Sequence, residues 1–341
     1  MPNDSHIPSA ESKDATGAYV EGPGRDVARI AEGDIVAELH HLSLLRVTGV
    51  DAPSFLQGQL TNDVISTQGT CYAAYCTAQG RTLALFLVVR VENGFLLKLR
   101  HTLAATIANR LRMFVLRAKV EIEVADTLSL TGLYGPEAPT LLAAAGLPLP
   151  AESAGATAVA NAVVVLRRPG AHPRFEILAP RGDDTVQRLM GLARQVGYRA
   201  WVWLDIHSGL PDLVPATSDL FVPQMLNIDA LQGISFSKGC YPGQEIVART
   251  HYLGKLKQRM YRARAASPAP LHPGVPLYAP NFLGQAAGHI VEAELAPDGR
   301  TDLLAVIQTA SARLNAVQVD TPDGPRLQLE SLPYPLPAPS G

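Results

Sequence analysis

The feature that most constrains the fold of this chain is an order of predicted elements that occurs twice. In its first occurrence, "ELHHLSLLRVTG" predicts a strand, "DAPSFLQGQL" a helix, "CYAAYCTA" and "RTLALFLVVRV" paired strands, "TLAATIANRLRMFV" a helix and "VEIEVAD" a strand. The second consists of "LSLTGLYG", "PEAPTLLAAAG", the pair "AVVVLRR" and "RFEILAP", and "DDTVQRLMGLARQVG". This repeated order predicts an α+β fold with a duplicated ferredoxin-like unit, although the identity between the halves is too weak to establish a duplication.

The composition changes after about Met260, where the chain becomes rich in Pro, Ala and Gly. Short strand candidates such as "AAGHIVEAEL" and "DLLAVIQ" follow and predict a small all-β barrel. The N-terminal residues are rich in Ser, Pro, Gly and acidic residues, which is typical of disorder. We therefore expect a disordered lead-in at 1–34, the duplicated α+β region at 35–262, a C-terminal β-barrel at 263–332 and a Pro-rich tail at 333–341.

Charge and cysteine content exclude several classes of protein. The net charge of −2 argues against a basic surface, so direct nucleic-acid binding is not expected. No apolar run approaches the length of a membrane span, and the N-terminus does not resemble a secretory signal. Three cysteines give no disulfide framework and indicate a cytoplasmic protein. Cys71 and Cys76, like His40 and His41, would point to opposite faces of a strand, so no metal site is predicted.

The stretch "FSKGCYPGQE", residues 236–245, is not built like a core segment. Pro242 suits the first turn of a helix, which would place Cys240 at or just before a helix N-terminus. Free backbone N–H groups and the nearby Lys238 would there favour the thiolate form of Cys240. Two alternatives remain open. Cys240 would be a small buried hydrophobe, as most single cysteines are. The basic residues that follow it, Arg249, Lys255, Lys257 and Arg259, would form a solvated face. No histidine can be tied to Cys240, so a cysteine protease is unsupported.

The same residues carry a resemblance to a known family. "GISFSKGCYPGQEIVAR" resembles the K-G-C-Y-x-G-Q-E motif of the YgfZ family, which comprises folate-binding relatives of the glycine-cleavage T-protein, an aminomethyltransferase. The flanking blocks "HSGLPDL" and "FVPQMLNIDALQGISF", and "FLQGQLTNDV" near the N-terminus, agree in spacing with that family. The resemblance covers about Leu39 to Arg262 by motif and the C-terminal β region by architecture.

The resemblance implies ferredoxin-like units around a central cleft, with a C-terminal β-barrel beside them. It also implies tetrahydrofolate, or a one-carbon derivative, as cofactor, and iron–sulfur client or assembly proteins as partners. The implied function is assembly or repair of iron–sulfur clusters in particular enzymes, including tRNA-modifying ones. Cys240 would be the functional thiol, with Lys238 beside it. The candidate cofactor-binding residues are Asn62, Asp63, Arg81, His207, Gln224, Asn227, Tyr241, Gln244, Glu245 and Arg249, and Lys255 is a further candidate for the glutamate tail of folate.

Several of these residues have a second interpretation that the sequence leaves open. Asn62 and Asp63 belong to the residue types that favour turns, and they would then only cap one. Arg81 would be a surface residue of a hairpin. Gln224 and Asn227 are amide partners for a pterin on the first interpretation and capping residues on the second.

The chain departs from the T-protein at positions that matter for aminomethyl transfer. Alignment by Gly80 puts Ala84 and Leu85 where the T-protein has a pair of aspartates, and neither can take a proton. His207 stands in place of a glutamate; it can hydrogen-bond a pterin but is not a permanent anion. An ordinary aminomethyltransferase is therefore not expected, and whether the protein is an enzyme stays open. The alternative is a folate-dependent one-carbon transferase with an unknown acceptor, in which Cys240 acts as nucleophile or one-carbon acceptor.

Overall fold

The structure is a computed structural model, and it describes residues 12–13, 19–20, 24–153, 155–252, 256–267, 270–282 and 284–337. Its strands, in chain order, are β1 Ser12–Lys13, β2 Tyr19–Val20, β3 Ile35–Glu38, β4 Leu42–Thr48, β5 Thr70–Cys76, β6 Thr82–Val91, β7 Gly94–Arg100, β8 Glu121–Val124, β9 Leu128–Tyr134, β10 Thr157–Ala160, β11 Val163–Arg168, β12 Arg174–Pro180, β13 Arg194–Val196, β14 Gln258–Ala265, β15 Pro276–Tyr278, β16 Gly288–Leu295, β17 Thr301–Gln308, β18 Gln318–Val319 and β19 Leu327–Glu330. The α-helices are α1 Arg25–Ala28, α2 Ala52–Gln57, α3 His101–Arg112, α4 Ala138–Ala145, α5 Asp184–Leu192, α6 Tyr198–His207, α7 Gln244–Tyr252 and α8 Thr309–Leu314.

The repeated order of elements gives two sheets with matching topology. The first sheet has the order β5-β6-β7-β4-β8 and is antiparallel throughout. The second sheet has the order β10-β11-β12-β9-β3-β13. The two strand orders agree position by position, with one exception. Strand β3, which precedes the first unit in the chain, is inserted between β9 and β13 and pairs in parallel with β13. The predicted α+β fold with two related units is confirmed.

The elements that were not predicted from the sequence include strand β10 and helix α6, while β13 forms where the sequence predicted the end of a helix. The edge strand β10 has only four residues and shows no buried face, so it lacks the alternation that marks a strand. Helix α6, "YRAWVWLDIH", buries five of its ten residues, including Trp201 and Leu204. Its apolar residues lie on several sides, and this hides the helical period.

The two sheets face each other across a middle core. Leu44, Leu87 and Leu96 of the first sheet meet Leu166 of the second sheet and Trp201 of α6 in this core. Helices α2 and α3 cover the outer face of the first sheet, and α4 and α5 cover that of the second. Each sheet therefore buries both faces, and any polar side chain pointing between the sheets lies in a low-dielectric interior.

The C-terminal region is a curled antiparallel sheet of order β18-β15-β16-β17-β14-β19 with its own apolar core. Its strand β14 begins at Gln258, five residues before the predicted start of the barrel, because β14 pairs along its length with β17. At the far end, Tyr334 lies in the predicted tail, and its hydroxyl donates to the Gly209 carbonyl at 2.7 Å. Helix α1 lies within the predicted lead-in. No helix in the described ranges is long and apolar enough to cross a membrane.

Candidate functional site

Cys240 lies on an exposed loop between residues 235 and 243, just before α7. The helix begins at Gln244. Pro242 therefore precedes the helix, whereas the sequence predicted it in the first turn. The reason is Gly243, whose φ of +81° is incompatible with a right-handed helix. Cys240 therefore precedes the helix by four residues. A Cβ atom at Gly239 would meet nothing within 4 Å, so the space beside the thiol is open.

Lys238 points away from solvent and toward the backbone of the other shared block, "FLQGQLTNDV". Its ammonium group donates to the carbonyl oxygens of Gln57, of Leu60 at 2.6 Å and of Asn62 at 2.9 Å. These three contacts use all three ammonium protons. Burial lowers the pKa of Lys238 to about 8, against the opposing charge of Asp63. The two sequence blocks that carry the family resemblance are thus joined through one side chain.

Gly243 explains the second glycine of the motif. A Cβ atom there would lie 2.5 Å from the Thr77 carbonyl oxygen and 2.6 Å from the Gly80 Cα atom. The loop thus packs backbone to backbone against the turn between β5 and β6. Arg81 follows that turn, is exposed, and donates to the Leu220 carbonyl at 2.5 Å. The hairpin-surface interpretation of Arg81 agrees with this position.

Asn62 and Asp63 both make local hydrogen bonds. The Asn62 amide donates to the carbonyl oxygens of Tyr72 and Gln232, each at 2.8 Å. The Asp63 carboxylate accepts from the Ser66 backbone N–H at 3.2 Å, and hydrogen bonding from Ser66 lowers the Asp63 pKa. Asp63 therefore caps a turn, as one of the two interpretations expected, whereas Asn62 joins three chain segments.

Gln224 and Asn227 are both buried. The Gln224 amide donates to the Val247 carbonyl in α7 at 2.7 Å, and the Asn227 amide donates to the Met260 carbonyl in β14 at 2.9 Å. The side-chain oxygens of both residues have no hydrogen-bond partner among the described atoms. Both amide groups therefore serve first to fix neighbouring backbone.

His207 ends α6 and faces the C-terminal sheet. Its Nε2 lies 2.9 Å from Asp302, and its ring stacks on Trp203 with centroids 3.7 Å apart. Although burial raises the pKa of Asp302, hydrogen bonds from His207, Arg264 and Trp203 outweigh burial and hold it at about 2. The imidazole is thus committed to a contact between the two regions of the molecule.

The remaining candidates lie on or beside α7. Tyr241 is buried, burial raises its pKa, and its ring centroid is 5.2 Å from the Lys238 ammonium. Gln244 is half-buried, while Glu245 and Arg249 are exposed. Lys255 lies outside the described residues.

A small cavity of about 40 Å³ lies between the two sheets, and we call it the central cavity. Its apolar lining includes Leu85, Phe86 and Leu87 of strand β6 in the first sheet. Its polar lining consists of Tyr72, Lys98, Arg168, Asp205 and Asp212. None of the candidate cofactor-binding residues predicted from the sequence is among the residues that line it.

A buried ion network crosses from sheet to sheet beside the central cavity. The Lys98 ammonium donates to both carboxylate oxygens of Glu176, at 2.6 and 2.7 Å, and Arg168 Nε lies 3.3 Å from the same carboxylate. Arg174 pairs with Asp205 at 2.9 Å. Burial raises the pKa of Glu176, but the charges of Arg168 and Lys98 outweigh burial and hold the pKa at about 2. The network keeps paired charges in the interior, where an unpaired charge is costly.

A second buried pair links the first sheet to the C-terminal sheet. Arg100 in β7 contacts Glu292 in β16, and its Nε lies 3.2 Å from Asp212. Burial raises the pKa of Glu292 to about 7, even though Arg100 opposes this shift.

Sequence reasoning missed these charged residues, although a signal was present. Lys98 in "FLLKLR", Arg168 in "VVVLRR" and Glu176 in "RFEILAP" each interrupt an otherwise apolar strand. A charged residue at an inward position of such a strand indicates a buried pair or a polar site. The part of the chain that the structure describes contains no group of three or more His, Cys, Asp or Glu residues that could hold a metal ion.

Comparison with known proteins gives curated relatives and a structural neighbour. No protein-family model matches the chain. The tRNA-modifying protein YgfZ of Edwardsiella ictaluri is 31% identical over 299 residues, which cover 85% of this chain and 89% of that protein. The protein of the same name from Hamiltonella defensa is 33% identical over 228 residues, covering 65% and 68%. The crystal structure of glycine cleavage system aminomethyltransferase T from Bartonella henselae aligns with a TM-score of 0.69 and 19% identity, and the alignment covers 93% of this chain and 92% of that one. This likeness concerns the fold alone.

Proposed function

The chain belongs to the YgfZ family, and from this premise we propose that it is a tetrahydrofolate-binding protein that supports tRNA modification. In this proposal it assists the assembly or repair of iron–sulfur clusters in particular enzymes, including tRNA-modifying ones. The observation that carries the proposal is the placement of Cys240. The thiol is exposed, the space beside it is open, and the loop that bears it is fixed by Lys238 and Gly243.

The chemistry of the central cavity supports a folate as the cofactor. A pterin presents N–H donors and a carbonyl acceptor on one edge, and the cavity offers carboxylates at Asp205 and Asp212 and cations at Lys98 and Arg168. The aromatic ring of Tyr72 and the leucines suit the apolar faces of a pterin. Tetrahydrofolate, when bound, would supply a carrier for a one-carbon unit.

The size of the central cavity sets a condition on binding. Its volume is about 40 Å³, whereas pockets for ligands of folate size measure about 300 Å³ or more. A pterin therefore enters only if the walls of the cavity move apart.

The exposed Cys240 suits exchange with a second macromolecule better than chemistry on a small molecule. A thiol in an open position can reach a cluster or a sulfur species held by a client protein, whereas a thiol in a closed pocket cannot. The cluster is the cargo of this exchange. Lys238 contributes by holding the loop, since its protons are already engaged by carbonyl oxygens.

A one-carbon transferase with an unknown acceptor remains the second candidate, and the likeness to the aminomethyltransferase fold favours it. Against it, Ala84 and Leu85 are buried and apolar where the T-protein has aspartates. Turnover of a methylene- or formyl-folate by the pure protein would favour this candidate over the first.

The proposed function is tested by restoring iron–sulfur enzyme activity in cells that lack the protein. We expect the wild-type chain to restore the activity of a tRNA-thiolating enzyme, and we expect Cys240→Ala and Cys240→Ser to fail at equal protein levels. Depletion of cellular folate should reproduce the defect. Full restoration by Cys240→Ala, together with no effect of folate, would overturn the proposal.

A further inference from the structure

Strand β5 connects the central cavity to the outer edge of the first sheet. The side chain of Tyr72 lines the cavity, and β5 is the outermost strand of its sheet. The open edge of β5 is covered by residues 60–62, which we call the edge segment. Thr61 exchanges hydrogen bonds with Ala74, through its backbone N–H at 3.0 Å and its hydroxyl at 2.8 Å. The Asn62 amide binds the Tyr72 carbonyl itself.

The other side of the edge segment binds the chain that leads into the Cys240 loop. The Thr61 hydroxyl donates to the Gly233 carbonyl at 2.7 Å, and the Thr61 carbonyl accepts from the Ser235 N–H at 3.0 Å. The Asn62 amide also donates to the Gln232 carbonyl. The edge segment is therefore hydrogen-bonded on both sides, to the cavity strand and to the thiol loop.

Lys238 completes this connection two residues before the thiol. Its ammonium group binds the carbonyl oxygens of Leu60 and Asn62 at the two ends of the edge segment. With its three protons so engaged, it has no proton directed at a substrate. Its geometry is that of a residue that fixes the position of Cys240.

We infer that ligand entry into the central cavity changes the reactivity of Cys240, with Asn62 and Lys238 as positioning residues that connect the two. This inference rests on the proposed function, because the ligand is tetrahydrofolate. The cavity must widen to admit it, and Tyr72 is one of the residues that line the cavity. Movement of Tyr72 acts on Asn62 through the Tyr72 carbonyl, and on the Cys240 loop through Gln232 and Lys238. A ligand that favours the widened state shifts the protein toward it.

The experiment measures the second-order rate of Cys240 alkylation by iodoacetamide, under anaerobic conditions, with and without saturating tetrahydrofolate. Peptide mass spectrometry follows Cys240 separately from Cys71 and Cys76. Calorimetric titration of the same full-length protein measures binding independently. We expect tetrahydrofolate to change the alkylation rate by about fivefold, which is the low end for coupled sites. In Asn62→Ala and Lys238→Met we expect binding to persist while the change falls below about twofold.

The outcomes separate the inference from the proposed function. If tetrahydrofolate binds the wild-type protein but leaves the alkylation rate unchanged, the inference is wrong and the proposed function stands. If tetrahydrofolate does not bind, both fail. If Asn62→Ala and Lys238→Met keep the full ligand-dependent change, the assigned connection is wrong. A purely structural role would shift the rate equally with and without ligand, so the ratio of the two rates is the decisive quantity.

Two matched controls and a second measurement keep the test decisive. Asn109→Ala and Lys119→Met remove an amide and an exposed ammonium far from the loop in sequence, and we expect both to keep the wild-type ratio. If the Asn62 or Lys238 variant does not fold, amide hydrogen exchange measured on the wild-type protein takes the place of the alkylation measurement on that variant. Tetrahydrofolate should then alter the protection of the Ser235 N–H, which binds the edge segment, and unchanged protection there would overturn the inference.

Discussion

The Cys240 loop and the central cavity hold their charged groups in opposite ways. In the cavity, Lys98 and Glu176 are buried and paired with each other across two sheets. In the loop, the half-buried Lys238 binds backbone carbonyl groups and meets no carboxylate at salt-bridge distance among the described residues. The thiol beside it is exposed. The cavity thus concentrates buried ion pairs, whereas the loop displays an exposed thiol.

The largest expected effect is on the cavity side of this comparison. Glu176→Gln leaves Lys98 and Arg168 as buried cations without their carboxylate. We expect the free energy of unfolding to fall by about 3–5 kcal/mol, the cost of breaking a buried ion pair by removing one partner. Chemical denaturation at pH 7 measures this loss. The exposed pair of Asp298 and Arg300 is the control, and Asp298→Asn should cost no more than about 1 kcal/mol. Equal losses in the two variants would show that the buried network contributes no more to the free energy of unfolding than an exposed ion pair does.

The second prediction compares two glycines of the same motif. Gly243→Ala requires a Cβ atom at positive φ and within 2.6 Å of backbone atoms, so we expect a loss of about 2 kcal/mol in the free energy of unfolding. Gly239→Ala meets open space and should change stability by less than about 0.5 kcal/mol. Thermal and chemical denaturation of both variants check this difference. Similar losses in both would mean that the loop does not pack as described.

The third prediction concerns the pH dependence of the contact between the first sheet and the C-terminal sheet. The pKa of Glu292 is raised to about 7 in the folded protein, so between pH 4.5 and 7 the folded state binds more protons than the unfolded state. This group therefore lowers the free energy of unfolding as the pH rises through that window. We expect Glu292→Gln to weaken the decline between pH 5 and pH 7, measured by denaturation at both values. The exposed Glu121→Gln should leave the decline as in the wild type, and a steeper decline in Glu292→Gln would contradict the assignment.

The smallest expected effect on stability is that of Cys240 itself. Because the side chain is exposed, Cys240→Ala and Cys240→Ser should change the free energy of unfolding by less than about 0.5 kcal/mol. Both variants should nevertheless fail to restore iron–sulfur enzyme activity. A large loss of stability in either would remove the separation between a stabilising cavity and a functional loop.

The sequence predicted the architecture well, because hydrophobic periodicity and turn residues are local signals. Helix α2 forms within the segment "DAPSFLQGQL" that was predicted as a helix, and the two units recur in the expected order. The site was harder to predict. Lys238 was expected to act on the thiol by its charge, but it binds carbonyl groups of a block about 180 residues away in the sequence. His207 was expected at the pterin, but it contacts Asp302 of the C-terminal sheet.

The central cavity could not be predicted from local patterns. Which strand faces which depends on the pairing of the two units, and only that pairing brings Lys98 to Glu176. The charged residues within apolar strands indicated that a polar interior exists, but not where its members meet. Asn62 and Gln224 were singled out as candidate binding residues from the motif alone, and the backbone carbonyl groups that they contact became visible only in three dimensions.

The most direct test of the whole account is an anaerobic calorimetric titration of the purified full-length chain with tetrahydrofolate, performed on the wild type and on Cys240→Ala. The account predicts saturable micromolar binding to both proteins, because the ligand site lies between the sheets and the thiol lies outside it. The absence of saturable binding to the wild type would contradict the account at its centre.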